Sequence, residues 1–153
     1  MLIIVVSDIH RQTEVLDKIQ AKHPTATLFL DAGDSERHDF EIEPFQSVKG
    51  NCDYFIKNKY RYVPVLNHGI YVIHGNNFPL NHDSLATLAK SQSCDIIIHG
   101  HTHSPYYVYH NGVHILCPGS PTYPRTKIGA TYGLIRLTED EVEIKIMKVK
   151  DDE

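Results

Sequence analysis

The chain has 153 residues, enough for one domain with its own core, and a single domain spanning 1–153 is expected. Hydrophobic residues make up 41% and charged residues 22%, with 8 prolines, which excludes disordered and fibrous classes and predicts a globular protein. A net charge of -4 without any run of Lys and Arg argues against binding nucleic acid by blanketing its phosphates, so nucleic acid enters only as a substrate class.

Residues 2–6 form a continuous apolar, β-rich run and read as a buried first strand. This opening stops at Ser7 and Asp8 with no basic residue ahead of it, too short for a signal peptide or a membrane span. Val15, Leu16 and Ile19 recur at helical spacing and predict a helix over 12–22. A second strand over 27–30 runs into Asp31-Ala32-Gly33-Asp34, and a third over 45–48 into Gly50-Asn51. Residues 60–66 and 70–73 flank Asn67-His68-Gly69, a turn-like triplet that predicts a hairpin whose second arm ends at His74-Gly75. Leu85, Leu88 and Ala89 mark a short helix over 84–90 with Asp83 as its candidate N-cap, and 95–98 is another buried strand. From Tyr106 onward the strands are short and turn-separated, with Asn111-Gly112 as a hairpin turn, further strands over 131–137 and 142–149, and a solvated tail at 150–153. The order is βαβ-like first and antiparallel later, which two packed mixed sheets with outer helices accommodate.

Eleven histidines are the compositional oddity, and imidazole is the commonest side-chain metal ligand. The three cysteines, Cys52, Cys94 and Cys117, are widely spaced without a CxxC pair, which argues against a disulfide framework or zinc ribbon and fits a reducing cytoplasm. Five predicted strands end in ligand residue types: VVSDIH offers Asp8 and His10, FLDAGD Asp34, VKGN Asn51, YVIHG His74, and IIIHGHTH His101 and His103. Binding sites in α/β sheets gather outside the carboxyl ends of strands, so these ends are expected to converge. Residues two apart in an extended segment point the same way, so Asp8 with His10, and His101 with His103, are each expected to present two ligands together. Two carboxylates, four imidazoles and one amide oxygen form a mixed N/O set for Mn, Fe or Zn. Seven ligands exceed what one ion takes from protein, so two ions sharing a carboxylate are expected.

In this order DxH, GD, GN, HG and GHTH resemble the calcineurin-like metallophosphoesterase superfamily, in particular its small bacterial and archaeal phosphodiesterase branch. The resemblance spans 1–125 and includes CPGSPTYPR at 117–125, similar to that branch's NPGS...PR segment with Cys117 in place of the usual Asn. It implies an α/β protein with the metallo-dependent phosphatase fold, a four-layer α/β/β/α sandwich of two mixed β-sheets flanked by helices. It also implies a dinuclear site, with Asp8, His10 and His103 on one ion, Asn51, His74 and His101 on the other, and Asp34 bridging both. The implied activity is hydrolysis of phosphate esters, preferably diesters, by a metal-bridging hydroxide, with Asp34, Asn51, His74 and Asp53 as the catalytic set. Two divalent ions, of which Mn is expected and Fe, Zn, Ni or Co are alternatives, are the implied cofactors. Their charge less that of Asp8, Asp34 and one hydroxide leaves about +1, which is how an acidic protein can hold an anion. A small phosphate ester is the expected partner, no membrane is, and exposed sheet edges in that branch allow a homodimer.

Several positions depart from the superfamily's commonest pattern. Cys52 stands where many relatives carry a histidine assigned to leaving-group protonation; a thiol with a pKa of about 8.5 is a poorer donor, so difficult alkoxide leaving groups should suffer. The phosphodiesterase branch commonly reads GNCD, and the sequence assigns no residue to the general-acid role. Asp53 is expected to support the site by fixing a ligand histidine. Arg11 stands where many relatives have Gly, and Asn76 where many have the second His of HGH; with Arg125 they are the candidate substrate-binding residues. His99 reads as a packed strand residue, His23, His38, His68, His82, His110 and His114 as surface or turn residues, Cys94 and Cys117 as core, and Tyr106, Tyr107 and Tyr109 as strand packing. Two alternatives stand beside the diesterase: a phosphomonoesterase, and a non-catalytic scaffold, since the retromer scaffold subunit resembles the same fold with a degraded metal site.

Overall fold

Among residues 1–150, which the computed structural model describes, the chain forms in order β1 (Leu2–Val6), α1 (Glu14–Lys22), β2 (Leu28–Asp31), β3 (Gln46–Ser47), β4 (Tyr60–Val65), β5 (His68–Ile73), α2 (His82–Ser91), β6 (Ile96–Ile98), β7 (Tyr106–His110), β8 (Val113–Cys117), β9 (Thr131–Leu137) and β10 (Val142–Lys148). A 3-10 turn at Asp39–Glu41 precedes β3. Of the expected tail, residues 151–153 lie outside the described residues.

The strands form two five-stranded sheets, ordered β10-β9-β1-β2-β3 and β4-β5-β6-β8-β7. In the first, β1, β2 and β3 are parallel, with β9 antiparallel to β1 and β10 to β9. In the second, β5, β6 and β8 are parallel, with antiparallel β4 and β7 at the two edges. Alternation along the strands sets the layers. Ile3, Val5 and Leu30 face Ile70, Val72, Ile96, Ile98 and Leu116 in the core between the sheets. Leu2, Ile4 and Val6 turn the other way and pack under Val15, Leu16 and Ile19 of α1, while Tyr71, Ile73 and Ile97 pack with Leu85, Ala86 and Ala89 of α2. The result is the expected α/β/β/α sandwich. Each fully buried aliphatic side chain contributes about 1.5–3 kcal/mol, whereas exposed pairs such as Arg37–Glu41 contribute about 0–1, so the apolar layers hold the fold.

Local differences from the sequence reading have identifiable causes. The first helix begins at Glu14 and not at 12, because His10 and Arg11 are left-handed and Gln12 N donates back to Ile9 O in a turn. The hairpin turns at Leu66-Asn67: Leu66 takes φ +53°, and His68 already pairs with Val65. His68 is therefore no surface residue, since its Nδ1 and Nε2 meet Asp95 Oδ2 at 2.7 Å and Thr138 O at 2.8 Å. The cap of α2 is Asn81, whose Oδ1 accepts from Ser84 N at 2.8 Å, and Asp83 lies in the first turn. Strand β3 pairs only through Gln46 and Ser47, shorter than the expected 45–48. Among the described residues no helix is long and apolar enough to cross a membrane.

Candidate metal centre

The parallel strands β1, β2, β3, β5 and β6 point their carboxyl ends to one side, and all seven candidate ligands meet there. His10 Nε2 lies 3.3 Å from His103 Nε2, and His103 Nε2 lies 3.4 Å from Asp8 Oδ1. Asp8 Oδ1 is in turn 3.8 Å from His74 Nε2, which is 3.1 Å from Asp34 Oδ2 and 3.0 Å from Asn51 Oδ1. Asn51 Oδ1 then lies 3.2 Å from His101 Nδ1. Asp34 is central: its carboxylate groups both with His10 and Cys52 and with Asp8 and His74, with ligand atoms within 4.8 Å of one another.

Asp8 and His10 do present ligand atoms together, whereas His101 and His103 do not, and in neither pair is an extended backbone the cause. Asp8, His10, His101 and His103 lie outside the strands and take φ values of +58°, +44°, +75° and +60°. Left-handed turns, not an extended backbone, aim these side chains. Accordingly His101 and His103 diverge, His103 toward Asp8 and His10, and His101 toward Asn51 and the edge of His74, with ring centroids 5.3 Å apart.

Three of the four imidazoles are oriented from behind. Nδ1–H of His10 donates to Glu36 Oε2 at 2.8 Å, that of His74 to Ala32 O at 2.7 Å, and that of His103 to Tyr123 O at 2.7 Å. Carbonyls and carboxylates only accept, so these bonds fix the proton on Nδ1 and turn a bare Nε2 inward. Facing those nitrogens are Asp8 Oδ1, Asp34 Oδ2 and Asn51 Oδ1, again acceptors. Asp8 is fully buried, its Oδ2 takes Ser7 Oγ at 2.7 Å and His101 N at 3.1 Å, and its Oδ1 has no hydrogen-bond partner. A buried ring of acceptors around an unpartnered carboxylate oxygen is costly unless a cation sits among them, and imidazole and carboxylate donors fit a divalent ion of the Mn, Fe or Zn type.

The titration behaviour follows from that crowding. Burial opposes charging of His74, but Asp34 and Asp8 outweigh it and raise the imidazole to about 8, so that without a cation a proton on Nε2 takes its place as the counter-charge. Burial likewise opposes ionisation of Asp34, yet His74 and the Cys52 N–H hold its carboxyl below the usual range. Asp8 raises His103, whereas burial and then His74 lower His101. Burial, Asp34 and Glu36 together push the exposed Cys52 thiol up, keeping it neutral.

Asp53 touches no ligand histidine, contrary to expectation. Its Oδ2 accepts from Asp34 N at 2.8 Å and Gly50 N at 2.7 Å, and its Oδ1 from Glu36 N at 2.8 Å, so it clasps the two loops after β2 and β3 to each other. Gly50 is required by close approach, since a Cβ there would run into Asp34 Oδ1, and a Cβ on Gly100 would run into Ser7 Oγ. The 117–125 segment braces the first loop: Ser120 Oγ donates to Asp8 O at 2.8 Å and Thr122 Oγ1 to Ile9 O at 3.0 Å. Sequence reasoning missed Glu36, Ser7 and the carbonyls of Ala32 and Tyr123. Glu36 follows Asp34 by two residues and could have been found as a second acid in that loop; backbone carbonyls carry no sequence signal.

The three candidate substrate residues do not share a pocket. Arg11 and Arg125 line a cavity of about 500 Å³ at the His10–His103 end of the cluster, where Arg11 Nη1 already donates to Glu36 Oε1 at 2.7 Å. Asn76 lines another of about 420 Å³ at the Asn51–His74 end. His99 is packed as expected, its Nε2 2.7 Å from Tyr106 OH, and burial lowers it to about 4. Cys94 and Cys117 are buried.

Comparison with known proteins agrees with this geometry. A metallophosphoesterase of Methanothermobacter thermautotrophicus, named as probable, is 30% identical over 160 residues, covering 97% of this chain and 92% of its own length. One of Methanocaldococcus jannaschii, named likewise, is 29% identical over 161 residues, covering 99% and 83%. A solved structure from Streptococcus pneumoniae, titled as a predicted phosphoesterase, superposes with a TM-score of 0.87 at 23% identity over 97% of this chain and 89% of that one. Vps29 of Entamoeba histolytica complexed with zinc gives 0.74 at 19% identity over 98% and 100%, and an archaeal phosphodiesterase 0.74 at 19% over 96% and 100%. At these identities the structures speak for the fold alone. The profile of the calcineurin-like phosphoesterase superfamily domain matches residues 1–140, from the first strand past the loop that braces Asp8, and the chain belongs to that metal-dependent superfamily of phosphoesterases.

Proposed function

We propose that this protein is a dinuclear metal-dependent phosphodiesterase. One observation carries the preference for diesters: a cavity opens at each end of the ligand cluster, one beside His10 and His103 and one beside Asn51 and His74. A phosphate seated on the cluster can therefore send one substituent each way, and a diester has two substituents where a monoester has one. Asp8, His10 and His103 would hold one ion, Asn51, His74 and His101 the other, and Asp34 both. When bound, such ions, with Mn expected, supply positive charge for the phosphate and activate water for in-line attack. The protein's own part is to hold Nε2 lone pairs and carboxylate oxygens rigidly inward, through Glu36, Ala32 and Tyr123 behind the imidazoles and Asp53 behind the loops. Arg11, Arg125 and Asn76 border the cavities and would contact the substituents. The archaeal phosphodiesterase of the same fold supports this reading.

The likeness to Vps29 favours a second reading, a metal-bound scaffold without turnover, and the complete set of seven candidate ligands weighs against it. Hydrolysis of bis(p-nitrophenyl) phosphate and of p-nitrophenyl phosphate should be compared in chelated protein and with added Mn²⁺, using Asp34→Asn as the blank. Metal-dependent turnover favouring the diester is expected. Bound metal with neither ester cleaved would give the scaffold reading the better claim, and faster cleavage of the monoester would make the protein a phosphomonoesterase.

A further inference from the structure

Helix α2 packs on the outer face of the second sheet over β6 and β8 and leaves the outward side chains of edge strand β4 uncovered. Tyr60 and Tyr62 are accordingly 62% and 51% exposed. Tyr60 lies opposite Ile73, the residue before His74, and its ring stacks on Tyr71 with centroids 5.8 Å apart and planes at 23°. With Phe78, from the turn after β5, these rings make an aromatic shelf in the cavity of about 420 Å³ that opens at Asn51 and His74. Lys49 and Lys59 line the same cavity, and neither has an ion pair or a side-chain hydrogen bond among the described residues.

In a chain of net charge -4, two ammonium groups without acidic partners give this cavity a positive edge beside its aromatic shelf. Rings of this kind stack with flat bases, and free lysines neutralise phosphate. The cavity at the other end also holds a cation unpaired among the described residues, Arg125, but Arg11 there is held by Glu36 and Tyr123 is its one tyrosine or phenylalanine, so it lacks the aromatic shelf. We infer that the cleft on the Asn51–His74 side receives one substituent of the diester, and that this substituent carries an aromatic base and a second phosphate. The substrate class is then a nucleotide diester with a further phosphate, such as a 5′-phosphorylated dinucleotide. This inference rests on the phosphodiesterase reading above.

The test uses the Mn-loaded protein, the dinucleotides pApA and ApA, and the variants Lys49→Ala/Lys59→Ala and Tyr60→Ala. Release of mononucleotides is followed by chromatography, and binding of pApA by calorimetry. The wild type should cleave pApA roughly 10-fold more efficiently than ApA; the double lysine variant should lose that preference, and Tyr60→Ala should weaken both dinucleotides. Hydrolysis of bis(p-nitrophenyl) phosphate, which lacks a second phosphate, should fall less in the lysine variant than hydrolysis of pApA does. Equal cleavage of pApA and ApA by the wild type, or a preference that survives loss of both lysines, overturns the inference. If no diester is cleaved, calorimetry still decides. Tight pApA binding that the lysine variant loses would uphold the cleft while the catalytic reading falls, and equal or absent binding would remove the cleft as well.

Discussion

His10 and His103 bring their Nε2 atoms to within 3.3 Å of each other, each with its Nδ1–H already donated to an acceptor behind it. Two lone pairs so placed repel unless a cation or a proton stands between them, so groups outside the cluster that fix those tautomers should govern how well it holds metal.

Glu36 tests that dependence most directly. Glu36→Ala removes the acceptor for His10 Nδ1–H, and the expected result is a loss of about 10–100-fold in metal affinity. Glu36→Gln keeps an amide oxygen in that place and should recover most of it. Competition against a fluorescent chelator reads both, and an unchanged affinity in the Ala variant would remove Glu36 from any part in the site.

Asp53 makes a different kind of claim, about the backbone. Asp53→Asn puts an NH2 group where a carboxylate oxygen accepts, so at least one of the Asp34, Gly50 and Glu36 N–H groups is left facing a donor. Stability should fall by about 1–3 kcal/mol, and metal content should fall with it, because the loops bearing Asp34 and Asn51 lose their clasp. Urea unfolding and elemental analysis of the same sample check the pair. A stable variant with full metal would show that the clasp is dispensable.

Cys52 should matter little by its side chain. Its backbone N–H donates to Asp34 Oδ1 at 2.8 Å and survives any substitution except proline, while the thiol is exposed and held neutral. Cys52→Ala is expected to keep its metal and to stay within about 2-fold of wild-type turnover on the p-nitrophenyl diester. A large loss at full metal occupancy would instead put the thiol into the chemistry.

Asp31 sets a pH dependence. It is buried at the end of β2, where burial chiefly, with Asp53 and Asp8 adding to it, raises its carboxyl from 3.8 to about 7 against the Ser47 hydroxyl 2.6 Å away. The native state therefore holds this proton more tightly than the unfolded chain. Its contribution is fully present below the unfolded value and is lost as pH rises through about 7. Asp31→Asn does not titrate and can keep the Ser47 bond. In chelator it should be more stable than the wild type above neutrality by on the order of 4 kcal/mol, with the advantage fading toward about pH 4. Thermal melts across that range decide it, and a constant difference would exclude an Asp31 titration.

The convergence of the candidate ligands was legible because each sits just past the apolar run of a parallel strand, a pattern that chemistry and topology both constrain. How they are aimed was not. The two-residue spacing of His101 and His103 means co-facing side chains only in extended backbone, and a left-handed residue, which a single sequence does not announce, sends them to opposite ends of the cluster. Asp53 was legible as a supporting carboxylate, but its target is main-chain N–H, the same group in every residue but proline. The turn at Leu66-Asn67 was hidden for a related reason: Gly69 suits a turn by conformation, yet strand pairing from His68 onward decides where the chain reverses. Asn81 and Asp83 are both good cap residues, and only the start of the hydrogen-bonded turn distinguishes them.

The seven candidate ligand side chains are divided between the layers: Asp8, His10, Asp34 and Asn51 come from loops of the first sheet, and His74, His101 and His103 from loops of the second. The seam between the sheets thus ends at the cluster, and an ion held there would be gripped from both sides, as a rivet through two plates. Neither sheet can peel away without surrendering it, so loading the site should turn a sandwich held by apolar contact into one cooperative body, with amide exchange slowing in both sheets at once.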